Sequence, residues 1–427
     1  MQSYKTMPGY DITRTVQNTI KDHHLISPGD FVILGFSGGP DSLCLFHVLK
    51  DLSVRMGFTL VAAHINHGIR GKEADDDAKW VIDYCRSNGV SCIGVTANVP
   101  AYAKYRHMTE EEAGRNVRRE VFAYLAYGIA TGKDLQNHPA NELLNKHPES
   151  SMHSEDQNAQ NRKSSQSRSA APKHPKPRGN VRIALAHNRD DQAETVLMRV
   201  LRGTGIHGLT GIQYENRLDE ALLRVAAGIK DDELKKTAKT LNISVIRPLL
   251  DVSRTEIERF CSENELEPRI DRTNAEADYT RNKIRLELLP FLEEGFNPNI
   301  KETLVRLAAN AAEDDAVLTK LATGAAVESE KVLELAPSPT EEEKRRPDPK
   351  PLLKSIQLNA GKLRALDPAI FKRVIVTEFE KLGLNEGISA VHLNALYGAV
   401  KKNVGGKTIE FPGGHTAELL AGTLTLK

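Results

Sequence analysis

The sequence predicts an α/β protein: a parallel sheet covered by helices, followed by a helical domain and a small α+β C-terminal domain. Three observations predict it. Short apolar runs alternate with amphipathic stretches through the first half. A glycine-rich turn, Ser37-Gly-Gly-Pro-Asp-Ser42, falls between the first of those runs and the stretch after it. The second half reads as helices and closes on short strands around Pro412-Gly-Gly414. Strands that alternate with helices imply βαβ units and a sheet buried on both faces.

Taken in order, Phe31–Phe36 is a buried strand by length and composition, and Asp41–Lys50 continues as a helix with Leu45, Val48 and Leu49 on one face. Thr59–Ile65 is a second strand and Val90–Thr96 a third. Between them Glu73–Ser87 has helical spacing through Ala78, Val81, Ile82 and Cys85. Thr109–Tyr127 is a long helix striped by Val117, Val121, Tyr124 and Leu125. Val181–Ala186 and Asp190–Leu201 give a further strand and helix. From Val245 the character becomes helical. Ser253 followed by Glu256 is a capping-box pattern opening a helix to Glu263. Arg281–Leu292 and Lys301–Leu335 read as helices, then Pro368–Leu382 and Ser389–Lys401. Short strands are expected near Thr408–Phe411, Thr416–Leu420 and Thr423–Leu426.

Two stretches interrupt this pattern. Thr131–Asn180 has no Phe, Tyr or Trp and is crowded with Ser, Asn, Gln, His and Pro, so it reads as a disordered insertion. Its histidines lack the ordered spacing of a metal site. Ala336–Pro351 is proline-rich with a Glu/Lys/Arg run and reads as a linker. The expected domains are therefore 1–215 with the insertion at 131–180, 216–335, the linker 336–351, and 352–427.

With 58 Lys+Arg against 57 Asp+Glu, the net charge is +1, so any nucleic-acid binding must come from local basic patches. Cys44, Cys85, Cys92 and Cys261 form no C-x-x-C pair, which excludes a zinc ribbon or thioredoxin-type motif and reads as reduced thiols in a cytoplasmic protein. No apolar run approaches a membrane span, and the N-terminus lacks a signal-peptide core.

The turn Ser37–Ser42 carries the chemistry. Helix N-termini bind phosphate through unpaired N–H groups and partial positive charge. Gly38 and Gly39 let the backbone approach an anion, Ser37 and Ser42 offer hydroxyls, and Pro40 suits a first helical turn. The G-x-x-x-x-G-K-[ST] loop of kinases and the G-x-G-x-x-G loop of dinucleotide sites are both absent. A carboxylate inside such a loop repels phosphate unless a cation intervenes, so Mg²⁺ is expected at Asp41. The alternative is a glycine-rich turn with Asp41 as a helix-start acid.

Two more constellations lie after strands, where parallel sheets bind ligands. His67 and Arg70 follow the second strand, placed to meet phosphates or a base. His187, Asp190, Asp191 and Glu194 follow the strand at Val181. Crowded carboxylates favour a bound cation or ammonium, here Mg²⁺ or a lysine, beyond what helix capping explains. Arg115, Arg118, Arg119, Arg199 and Arg202 form a basic set suited to phosphate, although surface arginines of this kind are common in any protein.

The loop resembles the signature of the N-type ATP pyrophosphatase (PP-loop) superfamily, whose members join AMP to a substrate oxygen and release pyrophosphate. Further motifs make the chain similar to the tRNA(Ile)-lysidine synthetase family: His64–Arg70, Glu111–Arg115, His187–Thr195 with Arg199–Gly205, Arg247–Arg254, Asp271–Asn274, Arg281–Pro290, and the Pro-Gly-Gly turn of the closing domain. The order of these motifs is the family's. In two respects the chain departs from the family pattern: Arg119 stands where an aromatic is usual, and the insertion at 131–180 is extra.

The resemblance implies a PP-loop (adenine nucleotide alpha hydrolase-like) catalytic domain, then helical and C-terminal tRNA-binding domains. It implies ATP and Mg²⁺ as cofactors, and tRNA(Ile) with a CAU anticodon and L-lysine as partners. A homodimer is compatible with it. The wobble cytidine would be adenylated and lysine ligated at C2, changing the codon read from AUG to AUA. Ser37, Gly38, Gly39, Pro40, Asp41, Ser42, His67, Arg70 and Arg118 would bind ATP. Asp41, Arg115, His187, Asp190, Asp191 and Glu194 would be catalytic, and Arg199, Arg202, Arg281, Lys283 and Arg285 would meet tRNA. Another PP-loop tRNA-modifying enzyme, a thiolase, is the alternative.

Overall fold

The computed structural model describes residues 11–69, 71–132, 179–218, 222–223, 242–269, 279–335, 353–384 and 387–427. The insertion except its ends, the linker, Arg70 and Asp271–Asn274 lie outside them. The chain divides into two compact units, Met1–Gly203 with Gly211–Val305, and Thr204–Thr210 with Arg306–Lys427.

The first unit opens with α1 (Ile12–Asp22), then β1 (Phe31–Gly35), α2 (Pro40–Met56), β2 (Thr59–Asn66), α3 (Lys72–Ser87), β3 (Ser91–Thr96), α4 (Val99–Arg106) and α5 (Glu110–Thr131). It continues with β4 (Val181–Ala184), α6 (Arg189–Leu201), β5 (Glu215–Arg217), β6 (Ile243–Ile246) and α7 (Arg254–Glu263). Among the described residues the sheet order is β3-β2-β1-β4-β6-β5, with only β5 antiparallel to its neighbour. Phe31 stands level with Thr59 on one side and Val181 on the other.

Why β1 is central follows from its side chains, which alternate between two cores as a strand requires. Val32 and Leu34 pack with Val16, Leu45, Leu49 and Ile257. Phe31 and Ile33 pack with Val117, Val121, Leu125 and Ile183. Val32, Ile33 and Leu34 are fully buried, and each such side chain contributes about 1.5–3 kcal/mol. The order of connection reverses between β1 and β4, and a crevice opens outside the strand ends at such a switch point.

The sheet runs across the domain boundary expected at 215 and 216. Ile243–Ile246 pairs in parallel with Val181–Ala184, although the sequence from Val245 reads as helical. Four residues, three of them apolar, are too few for periodicity to separate strand from helix.

The first unit ends on α8 (Tyr279–Lys283), a π-helical turn (Ile284–Leu288) and α9 (Leu289–Gly295). The Leu289 N–H reaches back to the Ile284 carbonyl. Pro290 supplies the cause: proline in a helix removes a donor and crowds the preceding turn, and widening that turn relieves it. Helix α10 (Ile300–Ser329) begins here and continues into the second unit from Arg306.

In the second unit the helix expected to reach Leu335 stops at Ser329. Glu330–Leu335 is instead β7, paired antiparallel with β8 (Leu353–Asn359). Strand pairing, with two register shifts, overrides a helical reading of the Glu-Lys-Val-Leu-Glu-Leu run. After β8 come α11 (Ala360–Ala365), α12 (Pro368–Lys381), α13 (Ala390–Lys402), β9 (Lys407–Glu410), β10 (Thr416–Leu420) and β11 (Thr423–Leu426). The sheet order is β7-β8-β11-β10-β9, over a core that includes Ile356, Phe371, Phe379 and Leu424. Gly413 and Gly414 both take positive φ, as the expected turn requires.

Candidate active site at the carboxyl ends of β1 and β4

The turn after β1 is held by its own hydroxyls. Ser42 Oγ accepts from the Gly38 N–H at 3.1 Å, donates to the Gly39 carbonyl at 3.0 Å, and lies 3.1 Å from Ser37 Oγ. Gly38 has φ +86, and an added Cβ there would stand 3.0 Å from the Trp80 ring. Pro40 opens α2, and Asp41 follows in its first turn.

Asp41 looks across the switch point. Its Oδ1 accepts from Asn188 Nδ2 at 3.0 Å, and its Oδ2 lies 3.8 Å from Arg254. Burial pushes its pKa above the usual carboxylate range, Arg254 opposes that, and Asp191 reinforces it.

Asn188 also caps α6, with Asp191 completing a capping box. The acids expected here are already countered by cations of the same unit. Arg281 bonds Asp191 and Glu194, each at 2.8 Å, and Arg285 lies 3.8 Å from Glu194. Glu194 is 4% exposed; its burial raises its pKa despite Arg281. Asp190 accepts from the Arg254 N–H at 2.8 Å and meets Lys301 Nζ at 3.2 Å, which also meets Glu293 at 3.2 Å. Burial works against the charged Lys301, but Asp190 and Glu293 more than offset it and raise its pKa.

His187 has a buried Nδ1 with no hydrogen-bond partner among the described residues. Burial lowers its pKa to about 4; Asp191 opposes this, while Arg247, Arg281 and Arg118 add to it. The ring is neutral at neutral pH, and its lowered pKa makes it a weak base there.

The structure therefore gathers Ser37, Gly38, Gly39, Pro40, Asp41 and Ser42 with His187, Asp190, Asp191, Glu194, Arg281 and Arg285, and brings Arg118 within electrostatic reach of His187. Other expected residues stand differently. Arg115 pairs with Glu111 on an exposed helix face. Arg199 donates to the Gly211 carbonyl at 2.9 Å. Arg202 and Lys283 are exposed. His67 is half-buried after β2, its carbonyl accepting from Val99 at 3.1 Å, and Arg70 is outside the described residues. At the same strand end His64 Nδ1 donates to the Phe36 carbonyl at 2.9 Å, joining β2 to β1.

Asn188 and Arg254 lie within motifs read from the sequence but without an assigned role; Asn188 is the cap of α6 and Arg254 follows the cap of α7. Lys301 and Arg269 lie outside those motifs, and nothing in the sequence marked them. Among the described residues no group of three or more His, Cys, Asp or Glu side chains is placed to hold a metal ion; Asp41 and Asp191, near enough for one carboxylate to raise the other's pKa, are the acids a magnesium ion could use. Mg²⁺ binds through one or two carboxylates and takes its other ligands from phosphate and water.

The PP-loop domain family matches residues 10–131 and 168–292. The chain belongs to that family. PP-loop relatives named tRNA(Ile)-lysidine synthase include one from Clostridioides difficile (strain 630), 36% identical over 305 residues, covering 71% of this chain and 50% of its own length. Another, from Clostridium tetani (strain Massachusetts / E88), is 36% identical over 295 residues, covering 69% and 47%. The chain spans about half the length of the curated relatives it matches. A looser likeness exists to the solved U34-tRNA thiolase NcsA from Methanococcus maripaludis, at 18% identity and TM-score 0.43 over 71% of this chain and 78% of that one. Among the described residues no helix is long and apolar enough to cross a membrane.

Proposed function

We propose that this PP-loop chain is a tRNA(Ile)-lysidine synthetase, using ATP and L-lysine to modify the wobble cytidine of a CAU anticodon. One observation carries the reading: Asn188 donates to Asp41 at 3.0 Å, tying the loop after β1 to the acid-rich start of α6. That contact sets a phosphate-type loop beside a neutral histidine and a carboxylate cluster, the two halves that adenylation followed by amine attack requires. The relatives' names give the substrate.

In this mechanism the polyphosphate lies on the first turn of α2, with Ser37 and Ser42 as donors. The cytidine O2 attacks the α-phosphorus, and the bond to the bridging oxygen breaks to release pyrophosphate. Mg²⁺, held at Asp41 with Asp191 near, would supply charge to offset that leaving group. The ε-amine of lysine then attacks C2, the C2–O2 bond breaks, and AMP departs with the oxygen. The proton lost by the amine passes to the acid cluster of Asp190, Asp191 and Glu194, with His187 uncharged and buried beside it. Arg281 and Arg285 position Asp191 and Glu194, and Arg118 meets phosphate of ATP or RNA. Asp190 already holds an ammonium, that of Lys301, the same group the substrate carries. Lys283, Arg202 and the C-terminal unit are assigned to the tRNA.

The thiolase alternative gains nothing from the thiol beside the loop. Cys261 donates to the Pro40 carbonyl, and burial pushes it up to about 11. Incubation with radiolabelled lysine, ATP and tRNA(Ile) tests the proposal. Label is expected in tRNA(Ile) and absent from a tRNA(Met) control, with AMP and pyrophosphate released. Turnover of ATP to ADP, or no label in the RNA, would overturn it.

A further inference from the structure

Arg269 lies against the loop after β1 although it is far from it in sequence. Its N–H donates to the Gly38 carbonyl at 2.9 Å. Its Cγ comes within 3.6 Å of where a Cβ on Gly38 would stand, and its carbonyl within 3.9 Å of that point on Gly39. The guanidinium rests between two groups of α3. Nε is 3.3 Å from Asp77, and the guanidinium carbon is 5.5 Å from the centre of the Trp80 ring. Trp80 is itself fixed, stacked on Tyr84 at 4.8 Å and touching the loop at Gly38.

The charge around the loop makes this placement informative. The loop's own donors, Ser37, Ser42 and the first-turn N–H groups, are neutral, and its one ionisable group is the acid Asp41. A polyphosphate there would gain from a cationic side chain able to move onto it. Arg269 is 45% exposed and pairs with the half-buried Asp77 at 30%. Solvent screens a pair this open, and surface pairs are worth about 0–1 kcal/mol, so the guanidinium can leave Asp77 at modest cost. Phosphate offers two parallel acceptors to the same fork, a stronger match. The Trp80 face can support the cation in either position.

We propose that Arg269 is a phosphate-binding residue of this site, and that ATP draws its guanidinium off Asp77 onto the pyrophosphate end of the nucleotide. The proposal rests on the ATP reading above. Trp80 is the chain's single tryptophan, so its emission reports the movement directly.

The test titrates the full chain with Mg·ATP, and separately with Mg·pyrophosphate, reading binding by calorimetry and Trp80 by fluorescence. Wild type is expected to bind both with a change in emission. Arg269→Gln should bind about tenfold more weakly, the scale of one charged hydrogen bond, and leave Trp80 silent at saturation. Arg269→Lys keeps the charge without the fork and should fall between. Asp77→Asn should tighten binding, and that gain should vanish in the double variant with Arg269→Gln. The idea is overturned if wild type binds ATP with unchanged emission, if Arg269→Gln binds like wild type, or if the Asp77→Asn gain survives in the double variant. A wild-type chain that binds no ATP would instead remove the ATP reading itself.

Discussion

The two loops that face each other at the switch point are built on opposite plans. The turn after β1 is held largely by its own hydroxyls: Ser37, Gly38, Gly39 and Ser42 hold one another within six residues, and remote residues add single bonds at Gly38, Pro40 and Asp41. The start of α6 is held from a distance. Arg281 reaches Glu194 from 87 residues away, and Arg254 and Lys301 reach Asp190 from elsewhere in the chain. A local device can be tuned by substitution within its own motif. A distributed one fails when any remote contributor is lost, because the acids then stand uncompensated.

The largest effect should come from the residue that joins the two plans. Asp41→Asn keeps the shape and the Asn188 contact but removes the charge. ATP-dependent pyrophosphate release should fall by at least about a hundredfold, as for loss of one preorganised electrostatic group, with thermal unfolding unchanged. Full activity in that variant would detach the loop carboxylate from the chemistry.

Next in size is a break in the distributed half. Arg281→Leu leaves buried Glu194 without its main partner, and losing one member of a buried pair costs about 3–5 kcal/mol. Urea unfolding should show that loss at neutral pH and a smaller one in acid, where Glu194 takes up a proton. A cost that does not change with pH would mean that packing, not charge, is what Arg281 supplies.

The smallest effect concerns His187. Its folded pKa is about 4, below the ordinary 6.5. The unfolded chain therefore binds the extra proton first, so stability is full above pH 6.5 and declines as pH falls towards 4. The decline should reach up to about 3 kcal/mol and should be missing in His187→Gln. Comparing urea midpoints at pH 7 and pH 5 checks this. Equal slopes in both proteins would place the ring in water.

This contrast also explains what the sequence discloses. The turn after β1 was legible because its residues are neighbours and its strand and helix are long. The capping box at Ser253 and Glu256 was legible for the same reason. The acids after β4 were visible, but not what neutralises them, since Arg281, Lys301 and Arg254 arrive through the tertiary fold. The guanidinium of Arg269 over Trp80 has no sequence signature. Strand β6 was hidden by its shortness, and β7 by the helix that runs into it. Arg281 and Arg285 converge on Glu194, a meeting that their positions in the chain do not announce.

The wide turn before Pro290 carries a consequence for chain length. Ile284 and Leu289, five positions apart, are both buried, which an ordinary helix would set on different sides. The surplus residue acts as a phase adjuster, letting the arginines upstream and the anchors downstream each keep their aim. Trimming one residue between them, with all the others retained, would put the two halves out of step. At this point the length of the chain is as much a part of the site as the identity of its side chains.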